Sequence, residues 1–188
     1  MVNHQNHLWQ KIAGFTLIEL LVVISIFIMV FGFTYGGLRN NRRLGEFRLT
    51  ADRVASDIRK VQTMALAGIS QEDLGNISYG IYFNEASPLE YIIFQDNNGN
   101  NNYDLGVDEI IQTITFPQNI SLSAVEPELP TNDLAIVFSS PQSTTYINGG
   151  MVENTAIITL IRSNLPTKQG VISINRVTGR ITAELIDI

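Results

Sequence analysis

From Leu20 to Leu38 the chain carries nineteen consecutive residues without a charged side chain. At the helical rise of about 1.5 Å per residue, this run would extend about 28 Å, close to the hydrocarbon thickness of a bilayer. One acid, Glu19, stands at its start, and the next charge is Arg39. An ionisable side chain at the edge of a membrane-length apolar segment is costly to bury, which indicates a function. The run therefore predicts a spanning helix, with Glu19 as a candidate functional residue.

A small residue precedes this apolar run rather than following it. Gly14 comes directly before Phe15, whereas an ordinary secretory signal is cut after its apolar core. A peptidase that grips an extended chain needs a small residue at the cut, and Gly14 has no side chain to clash. Cleavage there would create an amine at Phe15 that is charged at neutral pH. That amine could pair with Glu19 of the same chain or of a neighbouring copy, which would offset part of the desolvation of both charges.

Residues 13–23 read Ala-Gly-Phe-Thr-Leu-Ile-Glu-Leu-Leu-Val-Val and resemble the class III signal of type IV prepilins and type II secretion pseudopilins. The resemblance implies that prepilin peptidase cuts between Gly14 and Phe15 and methylates the new N-terminus at Phe15. It implies that Glu19 sets the register of subunits during assembly. The alternative is an ordinary signal anchor in which Glu19 only reaches the membrane interface.

The same resemblance implies partners and a location. The partners are the prepilin peptidase/methyltransferase, other pilin or pseudopilin subunits, and the membrane. The chain would cross the bacterial cytoplasmic (inner) membrane once with its head outside, and would then enter a cell-surface filament or pseudopilus. The resemblance leaves open whether that machine serves secretion, motility, adhesion or DNA uptake.

The apolar run continues into an amphipathic segment, so we expect one helix from Phe15 to about Ala67, with Gly68 as its stop. Apolar residues recur there at spacings of three and four, as on the buried face of a helix. These residues are Leu44, Phe47, Ala51, Val54, Ala55, Ile58, Val61 and Ala65. We divide the chain into a cleaved leader (1–14), a transmembrane or filament-core helix half (15–38), an amphipathic helix half (39–68) and a globular β-rich head (69–188).

Three glycines, Gly32, Gly36 and Gly37, interrupt the membrane half of the predicted helix. Gly32 and Gly36 have the spacing of a close-packing face between spanning helices. The three could also mark a point where the helix unwinds on assembly, as in several type IV filaments that the chain resembles. The third alternative is that glycine is simply common in membrane helices.

After Gly68 the pattern changes to period two with many β-branched residues, which predicts strands. We expect strands near 77–83, 89–95, 109–116, 119–125, 134–139, 155–162, 170–176 and 180–186. The fold class is therefore α+β: a long N-terminal helix packed on an antiparallel sheet, in one or two parts. This layout resembles the pilin fold. Asp57-Ile58-Arg59 and a polar loop in the head resemble the GspH/FimT-type minor pseudopilins in particular.

Charge is unevenly distributed along the chain. Residues 39–60 carry a net charge of +4, and residues 61–188 carry −10. An acidic head repels phosphate backbones, so general nucleic-acid binding is disfavoured. The arginines after the apolar run would by themselves favour the opposite membrane orientation, but the processing signal favours the N-terminus inside. The chain has no cysteine, which excludes disulfides and thiolate metal sites.

A polar loop from Asp96 to Glu109 has two interpretations. Oxygen-bearing side chains alternate along it, as in loops that bind hard cations, so calcium is a possible ion. The alternative is an Asn/Gly-rich turn whose side chains cap their own backbone. The loop departs from an EF-hand, since its sixth residue is Asn101 and its twelfth is Val107. The candidate calcium ligands are Asp96, Asn98, Asn100, Asn102, Asp104, Asp108 and Glu109.

The sequence gives little support to catalysis. The two histidines, His4 and His7, lie in the leader, and no nucleophile elbow, phosphate loop or dinucleotide fingerprint occurs. The leading hypothesis is a structural subunit and not an enzyme: a minor pilin or pseudopilin that needs no cofactor. A second hypothesis is a DNA-binding minor pilin for natural transformation, with Arg176 and Arg180 as candidate contacts. A third is an enzyme or sensor that has a pilin-like anchor by chance.

Overall fold

The computed structural model describes residues 14–67, 77–128, 130–139, 144–150 and 153–188, without the side chains of residues 33–40. The predicted stop at Gly68 and leader residues 1–13 lie outside this range. The chain divides into two compact units, Met1–Arg42 and Arg43–Ile188, which we call the N-terminal and C-terminal units. The described residues form one helix and nine strands. These are α1 (Leu17–Ala67), β1 (Ser78–Asn84), β2 (Glu90–Asp96), β3 (Glu109–Thr115), β4 (Ile120–Glu126), β5 (Asp133–Ser139), β6 (Thr144–Ile147), β7 (Thr155–Arg162), β8 (Lys168–Asn175) and β9 (Ile181–Asp187).

The part of α1 in the C-terminal unit buries the apolar face that its periodicity predicts. Seven of the eight predicted positions are fully buried, and Leu44, at the start of the unit, is only partly covered. The seven are Phe47, Ala51, Val54, Ala55, Ile58, Val61 and Ala65. Truncating the largest of them, Phe47→Ala, would cost about 3–5 kcal/mol by the usual scale for buried aromatic residues.

The strands form two antiparallel sheets, as the α+β prediction allowed. The five-stranded sheet has the order β3-β2-β1-β5-β6, and the four-stranded sheet has the order β4-β7-β8-β9. All eight predicted strands are confirmed to within about two residues. The additional strand, β6, is only four residues long and pairs with β5 at one edge of the larger sheet.

One apolar core joins α1 to both sheets, with members from α1 and from all nine described strands. Gly170 in β8 faces the helix, since an added Cβ would lie 3.4 Å from the ring of Phe47 and 3.6 Å from Ala51. These are ordinary contact distances, so alanine would fit there, whereas a longer side chain would meet Phe47. Gly170 thus lies where β8 packs against the amphipathic half of α1.

Three consecutive residues of α1 contact three different parts of the C-terminal unit. Asp57 Oδ2 accepts a 2.6 Å hydrogen bond from the hydroxyl of Tyr91 in β2. Ile58 lies fully buried in the core. Arg59 donates a 2.8 Å hydrogen bond to the backbone carbonyl of Ile181 in β9. The Asp-Ile-Arg segment thus connects the helix to both sheets, which gives a physical reason for these residue types at these positions.

Strand β3 is an edge strand with an irregular register. Ile110 pairs with Phe94 and Gln112 pairs with Ile93, so Ile111 is an additional residue opposite β2. Such a bulge twists the edge of a sheet and re-aims the side chains around it. Six of the seven β3 residues are exposed, including two isoleucines.

Candidate functional site

The predicted cleavage site lies just before the start of α1. Residues Gly14 to Thr16 have no regular secondary structure, and Phe15 is exposed. A Cβ added to Gly14 would meet nothing within 4 Å. Within the described residues, therefore, no contact requires glycine at this position. A glycine here would instead suit a second protein that binds the extended, accessible backbone at this position.

Thr16 caps the helix directly after this site. Its Oγ1 accepts a 3.3 Å hydrogen bond from the backbone N–H of Glu19, and its carbonyl accepts one of 3.2 Å from Leu20 N–H. Thr16 and Glu19 have the spacing of a capping box, in which a threonine at the N-cap precedes an acid at the third helical position. The cap at Thr16 was not predicted, although the pattern Thr-x-x-Glu before an apolar run is the sequence signal of such a cap.

Glu19 lies in the first turn of α1 and is exposed. The positive end of the helix dipole favours a carboxylate there, by about 0.3–1 kcal/mol. Within the described side chains no cation forms an ion pair with Glu19. The backbone N–H of Glu19 thus helps to cap the helix, and its exposed carboxylate is accessible to another molecule.

Apolar side chains cover most of the surface of residues 15–31. From Phe15 to Phe31 every large apolar residue of α1 is exposed to a substantial degree. A contiguous apolar surface of this extent marks a contact with a membrane or with other protein chains. Among the residues that the structure describes, no helix has a stretch long and apolar enough to cross a membrane. The predicted span ends with residues 33–38, whose side chains are outside the described part.

In the polar loop, the two most buried carboxylates hold backbone N–H groups. Asp96 Oδ1 accepts a 2.7 Å hydrogen bond from Gly99 N–H, and Oδ2 accepts one of 2.9 Å from Asn101 N–H. Asp108 accepts from Asn97 N–H at 3.0 Å and from Asp104 N–H at 2.7 Å. Both aspartates thus stabilise the loop through its main chain, as capping carboxylates do.

The asparagines of the loop cap the chain in the same way. Asn98 Oδ1 accepts from Asn100 N–H at 3.1 Å, and Asn100 Oδ1 accepts from Asn102 N–H at 2.8 Å. The side-chain amides of Asn98 and Asn100 both donate to Asp104 Oδ2. An ion bound to Oδ2 of Asp104 would have to displace these two amide donors. If the side-chain oxygens of Asn98 and Asn100 turned to bind the ion, they would lose their hydrogen bonds to the backbone.

The loop therefore has the geometry of the second interpretation, a turn whose side chains cap its own backbone. Glu109 is exposed at the start of β3. In the described part of the chain, no three His, Cys, Asp or Glu residues are grouped so that they could hold a metal ion. Calcium binding by residues 96–109 therefore stays a prediction.

Tyr103 anchors this loop to the larger sheet. Its ring lies 4.4 Å from that of Tyr82 and 5.0 Å from that of Phe94, measured between ring centroids. Burial raises the pKa of the Tyr103 phenol, and the charge of Asp108 raises it further. The phenol is thus held neutral, which fits a packing role for this residue.

The two arginines of the DNA-binding hypothesis lie at the β8–β9 turn. Arg176 donates to the carbonyl of Glu153 at 2.9 Å and to Asn154 Oδ1 at 3.2 Å, so its guanidinium stabilises a neighbouring loop. Arg180 is exposed and shares a shallow polar depression with Glu184. A carboxylate beside the exposed cation weakens its attraction for phosphate.

Comparison with protein families gives one match. Residues 9–35 match the family model described as the prokaryotic N-terminal methylation motif. The match includes Gly14, Phe15, Thr16 and Glu19, and it confirms the signal that the sequence indicated. Neither the curated proteins nor the solved structures searched gave a match to this chain.

Proposed function

Since its N-terminus carries the class III methylation signal of type IV prepilins and pseudopilins, we propose that this chain is a structural subunit of a type IV pilus or a type II secretion pseudopilus. In this proposal, prepilin peptidase removes residues 1–14 and methylates Phe15. The mature chain then joins other subunits by helix packing, as a minor component of the GspH/FimT type.

One observation carries the proposal: an accessible cut site, a helix cap and an exposed acid occur in six consecutive residues. Gly14 and Phe15 lie in exposed, non-helical chain, and α1 begins directly after Thr16. Removal of the leader would place the new amine two residues before the helix, near the exposed carboxylate of Glu19. A charged amine and a carboxylate on an apolar helix offer a specific contact where apolar packing alone specifies little.

The exposed apolar side chains of residues 15–31 support the same proposal, because no described part of the chain covers them. Before assembly, the proposed cover is the bacterial cytoplasmic membrane, which the helix half 15–38 would cross once with the head outside. After assembly, the cover is the corresponding segment of neighbouring subunits. The role is structural and requires neither catalysis nor a cofactor.

Intact mass and N-terminal sequencing of the protein from cell membranes and from sheared surface filaments test the proposal. We expect a chain that begins at methylated Phe15. A pilus subunit should occur in both fractions, and a pseudopilus subunit of a secretion system should occur in the membrane fraction. A Gly14→Val variant should retain its leader, because a branched side chain at the cut would clash with the peptidase. A wild-type protein that keeps residues 1–14 would contradict the proposal.

DNA binding is the alternative function, and the same purified protein can be used to test it. A mobility-shift experiment with labelled duplex DNA at low salt, repeated at increasing salt, measures the phosphate contribution directly. The acidic C-terminal unit and the engaged guanidinium of Arg176 favour no binding. Binding that is lost in Arg180→Ala would instead support a role in DNA uptake.

A further inference from the structure

Two consecutive arginines follow the apolar half of α1. Arg42 and Arg43 are both exposed, and Arg39, whose side chain lies outside the described part, precedes Arg42 by three residues. Positions three and four apart share one face of a helix, so all three belong to the same face of α1. We call Arg39, Arg42 and Arg43 the basic cluster. Processing and helix packing give these cations no role.

No acid in the described part of the chain neutralises Arg42 or Arg43. Neither residue forms an ion pair there. The nearest acid in the sequence, Glu46, follows Arg42 by four residues and Arg43 by three, a spacing at which helical side chains can pair. Glu46 Oε2 instead accepts a 2.7 Å hydrogen bond from Arg162 in β7. The guanidinium groups of Arg42 and Arg43 are therefore accessible to another molecule.

A free cation does not by itself mark a binding site. Arg48, Lys60 and Arg180 are also exposed, and among the described side chains they form no ion pair either. The basic cluster differs from them in its distance from the proposed membrane span. Lys60, for comparison, lies seventeen residues beyond Arg43 in the same helix, or about 26 Å.

The proposed span ends at Leu38, directly before the basic cluster. Arg42 and Arg43 follow Leu38 by about 6 and 7.5 Å along the helix, at its usual rise. The polar headgroup layer on each side of a bilayer is about 5–8 Å thick. A long arginine side chain can also extend toward the headgroups while its stem lies on apolar surface. The cluster is thus within reach of the lipid phosphates.

Membrane orientation does not explain the basic cluster. Positive charges after a span favour keeping that end in the cytoplasm, whereas the proposed orientation has the head outside. Nucleic acid is a poor partner as well, because residues 61–188 carry a net charge of −10. Anionic phospholipids, in contrast, attract arginines that lie next to a membrane span. They are the partner whose charge and location both fit.

We propose that the basic cluster binds the phosphate groups of anionic phospholipids at the outer surface of the membrane. Each guanidinium has a planar set of N–H donors that matches two oxygens of a phosphate. The contact holds the processed subunit at a fixed depth in the membrane until it enters an assembly. The inference rests on the proposed function, since it requires that residues 15–38 cross the membrane.

Native mass spectrometry of the full-length chain isolated from cell membranes tests this contact. In micelles with equal amounts of phosphatidylglycerol and phosphatidylethanolamine, the protein should retain phosphatidylglycerol preferentially. Arg42→Gln and Arg43→Gln should each reduce this retention about fivefold, and Arg42→Gln/Arg43→Gln should reduce it further. Arg42→Lys/Arg43→Lys keeps both charges and should retain most of the lipid. The glutamine variants should still insert, because loss of these cations favours the proposed orientation.

The matched control is Lys60→Gln/Arg180→Gln, which removes two positive charges from exposed positions away from the span. It should retain phosphatidylglycerol as the wild type does. Equal losses in this control and in Arg42→Gln/Arg43→Gln would show that the overall charge sets the retention, which overturns the inference. A wild type that retains both lipids equally also overturns it.

Incorporation into assemblies separates a lipid from an acidic protein partner. Arg42→Gln/Arg43→Gln should enter assemblies at least as well as the wild type, because the headgroups stay behind in the membrane. Unchanged lipid retention with lost incorporation would show that the arginines meet an acidic subunit instead, and would overturn the inference.

The same samples distinguish this inference from the proposed function. Processed, assembled protein without a preference for phosphatidylglycerol overturns the lipid contact and leaves the structural-subunit proposal intact. A wild-type protein that keeps residues 1–14 and is absent from membranes removes both.

Discussion

Arg162 Nη1 donates a 2.6 Å hydrogen bond to the backbone carbonyl of Arg43, 119 residues earlier in the chain. The same guanidinium donates through Nη2 to Glu46 Oε2 at 2.7 Å and through Nε to Asn164 Oδ1 at 2.8 Å. Arg162 is only 6% exposed, at the end of β7. One side chain thus joins the smaller sheet to the first turn of α1 within the C-terminal unit.

Arg162→Leu should lower the free energy of unfolding of the isolated C-terminal unit. The variant loses charge-assisted hydrogen bonds, each worth about 1.5–3 kcal/mol, while Glu46 remains solvated, so we expect a net loss of about 2 kcal/mol. Urea unfolding followed by circular dichroism measures it. Arg176→Leu is the matched control, because its guanidinium bonds to a surface loop, and it should change stability by less than about 1 kcal/mol. Equal effects of the two substitutions would refute a special role for Arg162.

Glu19→Ala should leave cleavage after Gly14 largely intact and reduce incorporation into assemblies. The peptidase acts on the backbone at Gly14, whereas the carboxylate is proposed to meet the amine of another copy. Quantitative immunoblots of sheared or pelleted assemblies, with the mass of the membrane-bound chain, measure both steps. Glu19→Gln keeps the size of the side chain and should fail as Glu19→Ala does.

Thr16→Val separates the assembly role of Glu19 from its place in the helix cap. This variant loses the Thr16 Oγ1 acceptor but keeps the carboxylate. Loss of an N-cap costs about 1 kcal/mol of helix stability. We expect near-normal incorporation of Thr16→Val. If it fails as completely as Glu19→Ala, the effect of Glu19 arises from the helix start instead.

Asp96→Ala should destabilise the C-terminal unit in buffer that contains a metal chelator. Two backbone N–H groups lose their acceptor, which we expect to cost about 2 kcal/mol. Glu109→Ala, at the exposed start of β3, should cost less than about 0.5 kcal/mol. A chelator-treated protein that tolerates Asp96→Ala would show that the capping hydrogen bonds contribute little.

Calcium titration decides between the two interpretations of the same loop. A bound ion would stabilise the folded state by mass action and so raise Tm. At a free calcium concentration of a hundred times the Kd, the added stability would be about 2.7 kcal/mol. That rise would vanish in Asp104→Asn, whose side chain has no role in holding Asp96 or Asp108. A Tm that calcium leaves unchanged would favour the turn whose asparagine oxygens cap the backbone, and a shift that depends on Asp104 would establish the calcium site.

Stability of the C-terminal unit should fall above about pH 10. Burial and the hydrogen bond to Asp133 raise the pKa of Tyr82 to about 12, above its usual value of about 10. A group whose pKa is higher in the folded state adds stability below its unfolded pKa and loses it as pH rises toward the folded pKa. Unfolding midpoints measured from pH 8 to pH 12 should show this decline.

The matched variant for the pH measurement is Tyr82→Phe, which should make the decline shallower. Burial, and then the hydrogen bond to Asp57, also raise the pKa of Tyr91, so some slope will remain. Tyr82→Phe/Tyr91→Phe should flatten most of it. A slope that is the same in the wild type and the double variant would refute the assignment to these phenols.

Local patterns predicted much of this structure because they depend on near neighbours in the chain. The apolar spacing from Phe47 to Ala65 predicted the buried face of α1, and period-two alternation predicted eight strands. Strand β6 was missed because four residues are too few for a clear period. In the N-terminal signal, Gly14, Phe15 and Glu19 were predicted, and Thr16 was overlooked.

Contacts between distant residues could not be predicted in this way. Nothing near Arg162 in the sequence indicates that its guanidinium bonds to the carbonyl of Arg43, and Tyr91 gives no sign that it bonds to Asp57. These pairs depend on how the sheets pack on the helix. A groove beside α1 has the same origin, since Leu49 of the helix and Pro117 after β3 line it together.

The exposed apolar side chains of residues 15–31 also decide how the protein behaves in water. Isolated processed chains would aggregate through this surface, so their purification requires detergent. Among the described residues, the buried core of the C-terminal unit begins at Phe47 and does not depend on that surface. A protein that starts near residue 43 should therefore stay dispersed without detergent at concentrations at which the longer chain precipitates.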